Sequence, residues 1–285
     1  MRDAALQGLA VGFFDGVHLG HQAILRGASA AVTFRNHPLS VLAPEKAPRL
    51  IMTCEERIAA IKACGVEEVA VLDFSPELAE MSAEDFAYKY LLAAKGHKGT
   101  QRILCGENWR FGKGGAGDAV LLRRLGAEVE VVPYAEYKNE PVSSSRIRRC
   151  LENGEIEDAN AMLGRRYQVT GVGERGKGLG RELGYPTVNL RPDVGNLKLP
   201  LGVYEVEVGG AKAIANYGLA PTMDEKAWKS PMLEVHFLRS APLPSACVSD
   251  SAKVEFLRFI RPERKFDSIE DLKRQIAADC ATIAT

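Results

Sequence analysis

The 285-residue sequence predicts an α/β domain on a Rossmann-like parallel sheet, followed by a small antiparallel β-barrel domain with a C-terminal helix. Three observations carry this expectation. The first half alternates short apolar runs with capped, amphipathic stretches, the rhythm of strand and helix around a parallel sheet. After about Gly164 apolar runs follow one another across Gly- and Pro-containing loops, with no helix-length period between them. The end of the chain then returns to helical spacing. The length is about twice the commonest domain size, and the expected division is 1–164 and 165–285.

The strands expected in the first domain are Leu9–Phe14, Ala31–Phe34, Val69–Phe74, Arg102–Cys105 and Glu128–Pro133. Between them, Thr53 and Glu56 have capping-box spacing ahead of Ile58 and Ile61, with Gly65 as a stop. Ser82 with Asp85 opens another helix, and Asp118–Leu125 is a third, ending at Gly126. Only residues 26–31 separate Leu25, in the first helical stretch, from Val32 in the next strand. A helical stretch over Ser145–Leu163 joins the halves. In the second domain, strands are expected at Tyr167–Val172, Val203–Val208, Ala213–Tyr217, Met232–Leu238 and Lys253–Ile260. The last helix takes Asp267 as its cap, Glu270 three residues on, and a stripe of Ile269, Leu272 and Ile276.

Hydrophobic residues make up 46% and charged residues 26% of the chain, and 37 basic side chains balance 37 acidic ones. A whole-chain basic field for gripping nucleic acid or an anionic membrane is thereby excluded as an expectation, although a local basic site is not. The longest stretches without Asp, Glu, Lys or Arg are residues 4–14 and 213–223, both short of the ~20 residues a membrane helix needs. The six cysteines form no Cys-x-x-Cys pair and no close framework. Reduced thiols in the cytoplasm are the expected state.

The first chemistry-bearing segment is Gly12-Phe13-Phe14-Asp15-Gly16-Val17-His18-Leu19-Gly20-His21, which leaves the first strand and opens the first helix. Gly16 and Gly20 permit close backbone approach, and a helix start offers N–H groups to an anion. Two imidazoles three residues apart add donors for charge developing on a phosphate. The residues alone also allow two solvated histidines in a turn. Thr33–Pro38, Gly106–Lys113 and Val142–Arg148 should reach the same sheet edge. There, serines and an arginine can hold phosphates or simply cap a helix, and Trp109 and Phe111 can stack a base or pack.

Taken together, Gly-x-Phe-Asp-Gly-Val-His-x-Gly-His, Thr-Phe-x-x-His-Pro, Arg-Phe-Gly and Ser-Ser-Ser-Arg-Ile-Arg, in that order, resemble the nucleotidyltransferase domain of the bacterial bifunctional riboflavin kinase and FAD synthetase family. The resemblance implies that His18 and His21 bind ATP phosphates and stabilise the adenylyl transition state. It further implies that Gly12, Phe14, Gly16 and Gly20 bind ATP and its phosphates with them, that Asn36 and His37 lie near and belong to the same ATP-binding set, and that Ser144 and Arg146 complete the phosphate site. The chain departs from the family pattern in its shortened first helix, in Asn36 where proline is frequent, and in Glu107-Asn108-Trp109 where an aspartate and a phenylalanine are usual.

The second segment runs from Gly173 to Asn189, with glycines at 173, 176, 178, 180 and 184 and basic residues at 175, 177 and 181. Its amides, Gly178 and Gly180 among them, can wrap phosphates, although the Gly-Lys-Ser/Thr ending of a P-loop is absent and a solvated linker is the plain alternative. In the extended Pro186-Thr187-Val188-Asn189, residues two apart share a side, so the Thr187 hydroxyl and Asn189 amide oxygen can converge on one cation or remain ordinary loop polars. Both are hard oxygen ligands suited to Mg²⁺. In Met232–Leu238, alternation puts Glu234 and His236 on the face opposite Leu233, Val235 and Phe237. A rim or inner carboxylate is a candidate general base and an outer one a solvated residue, and the pattern does not choose. The family resemblance does, because its kinase domain carries Pro-Thr-x-Asn and a Glu-Val-His strand, with the glutamate as base. Asn216–Thr222 and Arg261–Phe266 also look like family segments. An acidic-aromatic stretch usual before the last strand is replaced by Ser245–Ala252.

The expected function is therefore ATP-dependent phosphorylation of riboflavin to FMN and adenylylation of FMN to FAD, with Mg²⁺ as cofactor and ATP as co-substrate. The expected partners are riboflavin, FMN, FAD and ATP, with neither nucleic acid nor membrane. Two alternatives stand beside it. One is a riboflavin kinase with a degenerate N-terminal domain, and the other a flavin-binding protein without turnover.

Overall fold

A computed structural model describes residues 8–92, 102–174, 187–192, 198–219, 231–238 and 251–283. The chain divides into two units, residues 1–144 and 145–285. The first contains parallel strands β1 (Leu9–Val11), β2 (Ala30–Phe34), β3 (Glu68–Leu72), β4 (Arg102–Gly106) and β5 (Glu128–Val132) in the order β3-β2-β1-β4-β5. That order reverses between β1 and β4, so the crevice beyond their carboxyl ends is the switch point where such sheets bind ligands. β1 is shorter than expected, because Phe14 and Val17 adopt left-handed φ of 57° and 40° with Gly16 at 79° between them. The chain therefore turns away instead of continuing the ladder. Buried Val11, Val32 and Ile103 pack with Leu91 and Leu122 on one side of the sheet, and Ala10, Ala31 and Leu104 pack with Leu25 and Ile61 on the other.

The helices of this unit are short. α1 (Leu19–Leu25) is indeed brief, α2 (Leu39–Leu42) follows β2, and α3 (Cys54–Ala63) starts at the expected capping box, with Thr53 receiving Glu56 N–H and Glu56 receiving Thr53 N–H. α4 (Pro76–Ala79) and α5 (Ala83–Phe86) take Ser75 and Ser82 as caps, and α6 (Ala119–Arg124) takes Asp118. A two-strand ribbon, β6 (Glu136–Tyr137) with β7 (Glu140–Pro141), precedes the second unit.

α7 (Ser144–Asn153) crosses the division, and α8 (Ile156–Leu163) leads to the barrel. Asn160 on α8 donates to the Phe256 carbonyl (2.8 Å) and accepts from Tyr167 N–H (2.6 Å), fastening this helix to two barrel strands. The closed barrel contains β8 (Tyr167–Glu174), β9 (Thr187–Pro192), β10 (Gly202–Val208), β11 (Ala211–Leu219), β12 (Pro231–Phe237) and β13 (Ser251–Pro262) in the order β10-β11-β12-β9-β8-β13. The sequence expectation contained five of these strands. The sixth is β9, the Thr187–Asn189 segment read there only as extended. Tyr204, Val206, Val235, Phe237, Val254 and Phe256 fill the interior.

The C-terminal helix (Ile269–Ala281) is capped by Ser268 and not by Asp267: the Ser268 hydroxyl accepts from Asp271 N–H at 3.1 Å and donates to its carboxylate. Its packed stripe begins a turn later than expected. Ile276 and Cys280 are buried with Val203, Ile214 and Ile283, Leu272 borders them, and Ile269 is exposed because that cluster does not reach the first turn.

Candidate functional sites

At the carboxyl end of β1, the His18 Nδ1 caps α1 by accepting His21 N–H at 3.4 Å. The two imidazoles stack with centroids 3.6 Å apart and planes 20° apart, and the Phe14 ring meets His21 edge-on at 5.3 Å. Each glycine of the motif has a separate reason. A Cβ at Gly12 would lie 2.9 Å from the Phe14 ring, Gly16 supplies positive φ, and a Cβ at Gly20 would press on the His18 ring at 3.3 Å.

Asp15 holds this turn in place. Its buried carboxylate accepts Ile51 N–H through both oxygens (3.1 and 3.2 Å), while its main-chain carbonyl accepts from the Ser144 hydroxyl at 2.9 Å. Ser144 thus ties the start of α7 to the histidine turn. Arg146 lies two residues further along the same helix. Phe14 is buried in the core, so its side chain serves packing and its backbone shapes the turn.

At the end of β2, the Asn36 amide spans to the segment after β3. It donates to the Phe74 carbonyl (2.9 Å) and Ser40 Oγ (3.2 Å) and accepts Phe74 N–H (2.9 Å). These bonds use both amide hydrogens and the oxygen to clamp the sheet edge. His37 accepts Leu39 N–H at 3.1 Å and stands edge-on to Phe13 at 4.8 Å. Beneath Phe13, at 4.2 Å from its ring, lies the fully buried Arg57 guanidinium. It donates to the Phe34 and Arg35 carbonyls, and burial pulls its pKa down despite nearby Cys54 and Asp15. Phe111 is core, stacked by Trp109 at 4.7 Å, so the packing alternative holds for it.

In the barrel, register assembles the second group. Asn189 pairs with Glu234 across β9 and β12, and Glu234 pairs with Asn216 across β12 and β11; in the next row Thr187 pairs with His236 and His236 with Ile214. Because Leu233, Val235 and Phe237 are the fully buried set, Thr187, Asn189, Asn216, Glu234 and His236 share the outward face. An outer carboxylate was expected to be merely solvated. Glu234 is instead flanked by two amides and an imidazole, with its side chain 41% exposed. His236 Nδ1 lies 3.3 Å from Thr187 Oγ1 and its Nε2 lies 3.9 Å from Glu234 Oε1. Burial lowers the His236 pKa, opposed by the Glu234 charge. Two hard oxygens and a carboxylate on one open face fit Mg²⁺ held together with nucleotide phosphates. Gly178, Gly180 and the rest of 175–186 lie outside the described residues.

A family model for FAD synthetase matches residues 3–146, and one for riboflavin kinase matches residues 163–285. The bifunctional riboflavin kinase/FMN adenylyltransferase of Bacillus subtilis is 32% identical over 95% of this chain and 89% of its own length. The chain belongs to this bifunctional family. The protein of the same description from Escherichia coli is also 32% identical, over 95% of this chain and 90% of its own. A solved structure described as a macrolide-efflux protein from Streptococcus pneumoniae is 29% identical with a TM-score of 0.82, covering 97% of this chain and 93% of that one.

Within the family's two domains, the expected residues divide by what the fold does with them. His18 and His21 face each other at the switch point, and Thr187, Asn189 and Glu234 meet on one barrel face. Sequence reasoning missed three residues as site builders: Asp15 as the anchor of the turn, Arg57 beneath Phe13, and His236 between Thr187 and Glu234. Asp15 and His236 stood inside quoted motifs, whereas Arg57 showed only as a polar residue of a helix.

Proposed function

We propose that this chain phosphorylates riboflavin to FMN on its barrel unit and adenylylates FMN to FAD on its α/β unit, using ATP for both steps. What carries the reading is that both family models match within one chain, each over a unit that retains its polar constellation. In the kinase step Glu234 takes the proton of the terminal ribityl hydroxyl as that oxygen bonds to the γ-phosphorus and ADP leaves. Thr187 and Asn189 hold Mg²⁺, which, when bound, neutralises phosphate charge. In the second step an FMN phosphate oxygen bonds to the ATP α-phosphorus and pyrophosphate departs. His18 and His21 donate to the charge that builds there, on a turn fixed by Asp15 and Ser144. Arg146 contributes from α7, and His37 borders the same edge.

In this reading the functional division follows 1–164 and 165–285, supported by the limits of the two family matches. The workplace is the cytoplasm. Cys54, Cys64, Cys105, Cys150 and Cys280 are thiols, and no helix among the described residues is long and apolar enough to cross a membrane. Separation of flavins after incubation with ATP and Mg²⁺ tests the proposal. Riboflavin should yield FMN and then FAD. FMN as the final product would reduce the chain to a kinase, and unchanged riboflavin would refute turnover.

A further inference from the structure

We infer that Arg57 is a positioning residue for the adenylylation step: from its buried place in α3 its guanidinium holds Phe13, and through that ring the His37 imidazole, at the switch-point edge of the sheet. The inference rests on the adenylylation site just proposed. Arg57 is 0% exposed, yet it is a permanently charged side chain with five N–H donors. Its Nη2 serves the Phe34 and Arg35 carbonyls, whereas Nε and Nη1 have no nitrogen or oxygen partner. Donors stranded in this way are costly. Buried charged groups can often be exchanged for apolar ones of similar volume without loss of stability, so packing alone does not account for a cation at this position.

The contacts of Arg57 do account for it. Phe34 ends β2 and Arg35 follows, directly ahead of Asn36 and His37, so the two carbonyls it holds fix the departure of that segment. Phe13 stands between β1 and the histidine turn, just before the left-handed Phe14. Its main chain is held by the buried Thr33 hydroxyl, which donates to the Phe13 carbonyl at 3.0 Å, and its ring lies 4.2 Å from the guanidinium carbon. A guanidinium kept out of water is the condition under which a cation over an aromatic ring is held most strongly. His37 meets that same ring edge-on, with planes 82° apart, and its Nδ1 accepts Leu39 N–H at 3.1 Å. Arg57 therefore joins the carboxyl ends of β1 and β2, the two strand ends that carry the His18–His21 turn and His37. Without the cation, the Phe13 ring loses what fixes it, and His37 loses the ring that sets its tilt.

Full-length variants separate this role from simple core packing. Arg57→Met keeps an unbranched side chain and removes the charge. Its kcat/KM for ATP in the conversion of supplied FMN to FAD should fall roughly 10–100-fold, the scale of a small misplacement in a reactive geometry, while riboflavin phosphorylation on the other unit stays intact. Arg57→Lys restores a cation beside the ring and should recover most of that loss. Phe13→Leu, at a half-buried position, removes the ring and spares the guanidinium. It should reproduce the Arg57→Met loss, and the double variant should lose no more than either alone, because both changes break one chain of contacts. Nuclear Overhauser contacts between the Phe13 and His37 rings give a readout apart from turnover: they should be present in the unaltered protein and in Arg57→Lys, and lost in Arg57→Met. Near-normal FAD formation in Arg57→Met, equal losses in Arg57→Lys and Arg57→Met, multiplied losses in the double variant, or ring contacts that survive removal of the charge would each overturn the inference. Should Arg57→Met fail to fold, Phe13→Leu decides, and unchanged FAD formation there overturns it. Should the unaltered protein leave FMN unconverted, the adenylylation reading itself fails, while the ring contacts still report whether Arg57 holds His37.

Discussion

Glu234→Gln and His21→Ala form a crossed pair, because each touches one unit and one chemistry. Glu234→Gln preserves shape and removes the accepting carboxylate, so riboflavin phosphorylation should fall roughly 10²–10⁴-fold, which is about 2.7–5.4 kcal/mol of transition-state stabilisation at about 1.36 kcal/mol per decade. Its cost in stability is small, since the side chain is 41% exposed and its approach to His236 is a long 3.9 Å. His21→Ala deletes a donor at the switch point and should lower FAD formation from FMN by about 10²–10³-fold. The fold cost there is the 3.6 Å stack on His18 and the edge contact with Phe14, together about 1–3 kcal/mol, partly offset by the better helix propensity of alanine in α1. The assay supplies riboflavin to one sample and FMN to another for each purified variant, after circular dichroism confirms both folds. Parallel loss of both activities in either variant, or intact phosphorylation in Glu234→Gln, would refute the assignment of roles.

Three further outcomes are expected. Asn189→Ala should raise the Mg²⁺ concentration for half-maximal phosphorylation while leaving adenylylation of FMN unaltered, and an unshifted titration would remove Asn189 from the metal site. Asp279→Ala strands Arg261, whose Nη2 and Nε hold that buried carboxylate at 2.7 and 3.1 Å; denaturant melts of the second unit should show a loss of about 3–5 kcal/mol, and a loss under 1 kcal/mol would contradict the buried-pair account. Burial, then Glu155, pushes the Cys150 thiol up to about 11, and burial raises Cys105. Because only the thiolate alkylates, both should stay unmodified at pH 8 in the native protein while half-buried Cys54 and Cys64 react, as peptide mass mapping would record.

How much of this was legible in the sequence depends on whether a signal was local. The capping box at Thr53 and Glu56 lies within one helical turn and appears as expected. The helix start near 268 was misplaced by one residue because Asp267 and Ser268 are both good caps, and only the tertiary surface shows that the packed stripe begins at Leu272. β9 was read as an extended segment and not as a barrel strand because its outward face is polar, Thr187 and Asn189, which is also what makes it a site. Asn36 is the opposite case. An amide suits a phosphate or a clamp equally, and its partner Phe74 stands 38 residues away, beyond any local pattern. His236 was visible as the same-face neighbour of Glu234, yet its link to Thr187 comes from strand pairing across a long connection.

The central claim is that one chain performs two different ATP reactions, and isotopic position in ATP separates them. Riboflavin is incubated with the full-length protein, Mg²⁺ and ATP labelled with ³²P at either the γ- or the α-position, and the flavins are separated and counted. The account predicts γ-label in both FMN and FAD, because the kinase step transfers that phosphoryl group, and α-label in FAD alone, because the second step transfers the adenylyl group. α-Label that never enters a flavin, or γ-label absent from FMN, would contradict it.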